Sequence, residues 1–191
     1  MGIFVEDRRS GKEAIHELAR KVFVAKNIRQ GIHMRFAPRG DMFSAEKMKA
    51  YAIPLLKQHQ DVSKIVICVD SECSDPGGVR RRVNSVERAL ADSELGTPIR
   101  YVVVVHALEG WLAADADAVG QVLRRDISGD IPGNLESVCK PADLLSEIFE
   151  KFRKDFRKTQ HDPMIAKFSD PMRIADRNAS FKHFQDAITD P

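Results

Sequence analysis

Few cysteines, one tryptophan and no long apolar run characterise this 191-residue chain. The three cysteines (Cys68, Cys73 and Cys139) are odd in number and irregularly spaced. That pattern suggests free thiols in a reducing cytoplasm rather than a disulfide frame. No Cys-x-x-Cys pair occurs, which argues against a thiolate zinc site. No stretch approaches the ~20 apolar residues of a membrane span. The segment Met1–Glu6 reaches an acid too early for a secretory signal, and position 6 is Glu where N-myristoylation wants Ser or Thr. The expectation is a cytoplasmic protein with no membrane partner. Excess charge of one sign is also missing: 30 Lys and Arg against 28 Asp and Glu leave a formal +2. Nucleic-acid binding must therefore rest on local patches, not on a global field. Ser10-Gly11-Lys12 lacks the spacing of a phosphate loop. No Ser-His-Asp or Cys-His arrangement can be argued from sequence order.

What is present is an alternation of apolar strands and amphipathic helices. Hydrophobic residues make up 43% and charged residues 30%, as in a globular domain. Strands are predicted at residues 2–6, 32–36, 64–69 and 99–105, the last being the most apolar and expected near the centre of the sheet. Ser10 with Glu13 has the form of a capping box before a helical stripe of Ile15, Leu18, Val22 and Phe23. Ser44 caps a second helix that Pro54 should kink or end, and Asp75-Pro76 opens a third. After residue 107 the chain turns helical. Asp115 is a cap, Pro141 opens a long helix, 159–171 reads as loop with a short helical piece, and Ser180 caps the last helix. The pattern is α/β: a Rossmann-like, mostly parallel sheet with helices on both faces. Residues 1–125 form its core, and residues 126–191 form a helical C-terminal extension packed on it.

The chemistry is expected at strand ends. Three apolar strands run into acids: Val5 into Glu6, Val69 into Asp70 and then Glu72, and Val105 toward Glu109. In a parallel sheet the carboxyl ends share one edge, and ligands sit where strand order reverses. If the first and third strands are neighbours, that point lies between Glu6 and Asp70. Asp70 and Glu72, two apart on extended chain, would share one face. Clustered carboxylates repel, so such a site holds a hard divalent cation, Mg2+ or Mn2+, or serves proton transfer. The plainer reading is that strands simply end in surface polar residues. Arg80, Arg81 and Arg82 follow Gly77-Gly78 at a helix start, where free amides and guanidinium groups can meet phosphate; a solvated face is the alternative. Lys12, with Arg8 and Arg9, is a further candidate phosphate contact. The basic stretch Lys151–Lys158 reads as helical, with Phe152 and Phe156 in the core. Of the six histidines only His106, near Glu109, invites a test, and a structural role is the simpler reading for it.

The order strand–Glu6, helix, strand, helix, strand–Asp70-x-Glu72 resembles the Toprim domain of topoisomerases, bacterial primases and the overcoming-lysogenization-defect nucleases. The stretch Glu109-Gly110-Trp111-Leu112-Ala113-Ala114-Asp115 resembles a narrower set, the small stand-alone Toprim-like proteins of domain-of-unknown-function group 4276. Lys140-Pro141 and Ser180-Phe181-Lys182-His183-Phe184 are similar to that set as well. The resemblance implies a Mg2+-dependent nuclease acting on nucleic acid, within an antiphage defence system; an ATPase partner fits this reading and a non-catalytic module alike. It makes Glu6 the acid/base carboxylate, Asp70 and Glu72 the metal ligands alongside Glu6, and Glu109 an added acid. Two positions depart from the Toprim pattern: Asp7 replaces a Gly, and Glu72 is one methylene longer than the usual Asp. Two alternatives stand beside this reading: a non-catalytic partner-binding module, and a nucleotide phosphatase or nucleotidyl-transfer enzyme.

Overall fold

The computed structural model describes residues 1–190. Four strands, β1 (Gly2–Val5), β2 (His33–Phe36), β3 (Ile65–Asp70) and β4 (Ile99–Val104), form one all-parallel sheet in the order β2-β1-β3-β4. The crossovers carry α1 (Ser10–Ala25), then α2 (Arg39–Met42) with α3 (Ala45–Gln58), then α4 (Pro76–Ala91). The remainder is helical: α5 (Leu108–Ala114), α6 (Ala116–Leu123), a 3-10 turn at Leu135–Ser137, α7 (Pro141–Lys151), α8 (Lys158–Phe168), α9 (Pro171–Arg177) and α10 (Ala179–Thr189).

Side-chain alternation along each strand divides the core between the two faces. Ile3, Val5, Val66, Cys68, Val102 and Val104 point into one apolar layer with α1 and the helices after residue 107. Phe4, Ile65, Ile67, Val69, Tyr101 and Val103 point into the other, against α3 and α4. Both faces are covered, which is why the strands read as continuous apolar runs rather than alternating ones. Residues from both sides of position 125 share the first layer, including Phe149, Ile165, Phe181 and Phe184. β1 and β3 are neighbours, and the strand order reverses between them. The carboxyl ends of these two strands therefore place Glu6 beside Asp70.

Several local expectations are corrected. β4 is an edge strand, not a central one. Its apolarity reflects cover from α10, whose Ser180 Oγ accepts the Val105 N–H at 3.2 Å. Ser10 does not cap α1. Asp7 does the local work, accepting from Arg9 N–H at 2.7 Å and from the Ser10 hydroxyl at 3.1 Å. Helix α3 runs unbroken through Pro54, and residues 158–168 are a full helix despite Pro163. In both, the carbonyl that proline leaves without a donor, Ala50 or Thr159, belongs to an exposed residue where water can serve. Asn178, not Ser180, caps α10 through the Phe181 N–H. The basic stretch Lys151–Lys158 is not helical: α7 ends at Lys151, Arg153 takes a left-handed φ of 57°, and α8 opens at Lys158. Phe152 and Phe156 nevertheless pack on the core.

The cysteines depart most from expectation. Cys73 and Cys139 form a disulfide with Cα atoms 5.0 Å apart, and Cys68 stays a free buried thiol. The partners are 66 positions apart in sequence and meet only through the tertiary fold, so their spacing carried no signal. Among the described residues no helix is long and apolar enough to cross a membrane.

Candidate functional site

Glu6 and Asp70 meet at the carboxyl edge of the sheet. Glu6 Oε1 accepts the Asp70 backbone N–H at 2.7 Å, which fixes the carboxylate across the end of β3. Arg39, the first residue of α2, spans the site. Its Nε lies 3.6 Å from Glu6 Oε2, its Nη2 lies 3.8 Å from Glu72 Oε2, and both nitrogens donate to the Asp70 carbonyl at 3.3 and 3.2 Å. Glu72 is placed differently from expectation. Asp70 ends the strand and Glu72 sits in a left-handed turn with φ 52°, so the two do not share one face of extended chain. The Glu72 side chain is 63% exposed and reaches the site only at its rim. Its backbone is held by His106: Glu72 N–H donates to the His106 carbonyl at 2.7 Å. The His106 ring bridges the carbonyls of Glu72 and Glu136. His106 thus orients the loop.

A second group of charges lies alongside. Glu109 falls in the first turn of α5, 4% exposed, with its Oε1 2.6 Å from Lys158 Nζ. Lys158 starts α8, and Asp162 follows one turn later on the same helix face. Asp162 is 1% exposed, and its Oδ1 has no hydrogen-bond partner. Sequence reading missed Arg39, Lys158 and Asp162. The one available signal, the i,i+4 spacing of Lys158 and Asp162, straddled the boundary between a stretch read as helical and one read as mostly loop.

The electrostatics follow from this crowding. Burial raises the Glu6 carboxyl to about 7, against opposing pulls from the Asp70 N–H and Arg39. Burial, then the charges of Glu6 and Glu109, push Asp70 well above the usual carboxylate range, with Lys158 pulling the other way. Burial and then Glu109 raise Asp162 to about 8, again partly offset by Lys158. Burial is the largest single influence on Lys158 and lowers it, but the bond to Glu109 and the charges of Glu109, Asp162 and Asp70 together outweigh it, and the amine ends above its ordinary value. Carboxylate oxygens are the donor type that a hard cation of the Mg2+ class takes, but among the described residues no three of these acids bring ligand atoms within 4.8 Å of one another, so the side chains would have to close on such an ion.

The candidate phosphate contacts separate. The Arg82 guanidinium lies 4.0 Å over the Phe43 ring, with Arg39 at 5.4 Å from the same ring, so these two flank one aromatic next to the acids. Arg81 pairs with Asp75 at 3.6 Å. Arg80 points to another cleft, shared with Arg100 and His183. Lys12 lines a cleft between α1 and β2, beside His16 and His33. The amides of Gly77 and Gly78 are not free for an anion, because the Asp75 carboxylate accepts both at 3.0 and 2.8 Å.

The stretch Glu109–Asp115 divides by role. Glu109 faces the acids. Trp111 is fully buried, packs against Phe181 and Phe184, and donates through Nε1 to Ser180 Oγ at 2.8 Å. Gly110 leaves room for close packing, since a Cβ there would sit 3.3 Å from the Val105 carbonyl. Asp115 accepts from Ala118 N–H at 3.2 Å and from Asp170 N–H at 2.7 Å, joining α6 to α9. No curated protein and no solved structure matches the chain. Residues 6–189 match the family described as Domain of unknown function (DUF4276), and the chain belongs to that family.

Proposed function

We propose that this protein is a Toprim-type, Mg2+-dependent phosphodiester hydrolase acting on nucleic acid. The observation that carries the reading is the junction of Glu6 with Asp70 where strand order reverses, with Arg39 laid across both. Asp70 and Glu72 are the candidate ligands of the cation, with Glu109 and Asp162 as further oxygen donors behind them. When bound, a divalent cation supplies charge neutralisation at phosphoryl oxygens and a more acidic water. Glu6, raised to about 7, is suited to take up and release a proton at neutral pH. Arg39 offers a fork of N–H donors to a non-bridging phosphate oxygen, and Arg82 and Arg81 extend that positive edge along α4 toward a polymeric backbone.

The test is to incubate the full chain with Mg2+ or Mn2+ and labelled DNA, RNA and mononucleotides, beside Asp70→Asn. Removing a metal ligand is expected to lower metal-dependent cleavage on the order of 100-fold or more, with circular dichroism unchanged. An Asp70→Asn rate equal to the parent's would overturn the assignment. Turnover of mononucleotides without turnover of polymers would replace the nuclease with a nucleotide phosphatase.

A further inference from the structure

Far from the acids, on the amino edge of the sheet, His33, His59 and Asp61 converge. His33 opens β2 and pairs in register with Gly2. Glu6 lies four residues along from Gly2, so the two sites are separated by roughly 13 Å of strand. His59 is the C-cap of α3, and Asp61 follows in the loop to β3. One ligand atom from each of the three side chains lies within 4.8 Å of the others. His33 Nε2 is 2.9 Å from Asp61 Oδ2, and the two imidazole rings stack with centroids 3.8 Å apart. We propose that His33, His59 and Asp61 form a second metal site, selective for a borderline divalent transition ion such as Zn2+ rather than for Mg2+.

The donor chemistry sets the selectivity. Two imidazole nitrogens and one carboxylate oxygen suit Zn2+, Ni2+ or Cu2+, whereas Mg2+ wants an all-oxygen shell. The His59 nitrogen is already an acceptor, because Arg35 Nη2, which can only donate, lies 3.0 Å from Nε2. Arg35 keeps Gln58 Oε1 at 2.6 Å and the Met34 carbonyl at 3.2 Å, so it is not stranded if His59 turns toward an ion. At His33 the ion replaces the proton that Nε2 shares with Asp61, and the ring adopts its Nδ1–H tautomer. Ligand atoms around Zn2+ lie roughly 3.3 Å apart, given bonds of about 2.0–2.1 Å, and each nitrogen lone pair lies in its ring plane, so binding requires the side chains to close and the two stacked rings to turn out of their near-parallel arrangement. The rest of the site is anchored. The His33 N–H donates to the Met1 carbonyl at 2.8 Å, and the Met1 ammonium donates to the Gly31 carbonyl at 2.7 Å. A cleft of about 550 Å3, lined by His16, His33, Arg35 and His59, lets water complete the shell. The ion would tie edge strand β2 to the loop entering β3, on either side of β1.

Zn2+ is titrated into metal-stripped full-length protein in competition with a chromophoric chelator, and the ring nitrogens are followed by NMR. One equivalent is expected to bind with shifts of the His33 and His59 ring nitrogens. Binding should weaken at least 10-fold in His33→Gln and in Asp61→Asn, and persist in Asp70→Asn. The inference is overturned if the His33→Gln/His59→Gln double variant binds Zn2+ like the parent. It is also overturned if binding disappears in Asp70→Asn instead, or if no site tighter than about 100 μM exists.

Discussion

Asp162 bears a cost that Lys158 offsets only in part: a buried carboxyl raised to about 8, with one oxygen unpartnered. In the unfolded chain the same group titrates near 4. Between those values the folded protein holds a proton that the unfolded chain has released. Stability therefore falls as pH rises through that interval, with a slope of about 1.4 kcal/mol per pH unit from this residue. Asp162→Asn should be more stable than the parent at pH 8 in EDTA, by roughly 2 kcal/mol or more, and the two should converge near pH 4. Urea unfolding at pH 4, 6 and 8 reads this directly, and a parent advantage at pH 8 would contradict it. Glu6, raised to about 7, contributes a slope of the same sign that the variant retains. At this scale Glu6 and Asp70 were legible because each acid follows a buried strand. Arg39, Lys158 and Asp162 were not, because they come from helices whose approach to the sheet edge is decided by packing. Glu72 was misplaced because the two-residue alternation of a strand ceases at Asp70, where the backbone turns left-handed.

Ser180 shows how one polar side chain can lock three elements. Its Oγ accepts the Val105 N–H beyond β4 and the Trp111 indole N–H of α5, and donates to Asn178 Oδ1 at the start of α10. Ser180 is 4% exposed, so Ser180→Ala leaves two buried donors unpaired. Each such loss costs about 1–3 kcal/mol, and the variant should unfold at least ~2 kcal/mol more easily without affecting Glu6 or Asp70. Chemical denaturation checks this, and a change under ~0.5 kcal/mol would refute the lock. The element pattern itself was readable wherever burial is one-sided or complete: all four strands, α1, α4 and α7 follow from apolar spacing and proline-led starts. Residues 158–168 hid their helix because Pro163 interrupts a polar surface while only His161, Asp162, Ile165 and Ala166 are buried. The apolar run of β4 pointed to a central strand because sequence does not distinguish neighbouring strands from a covering helix.

As a whole, the molecule is a sheet with one large and one smaller apolar layer, and the helices after residue 107 complete the larger one. The family match over residues 6–189 spans sheet and helices alike. Charge is nearly balanced overall, yet the carboxyl edge gathers Glu6, Asp70, Glu72, Glu109 and Asp162 against Arg39 and Lys158. Sequence supplied the members on strand ends and topology supplied the rest. The Cys73–Cys139 bond gives this architecture a further property. It closes α4, β4, α5 and α6 into a covalent ring. Arg124 and Arg125 lie within that ring and are exposed to trypsin. A single cut there should yield one band on a denaturing gel run without reductant and two after dithiothreitol; two bands under both conditions would show the ring was never closed. A chain nicked in this way is opened without being divided.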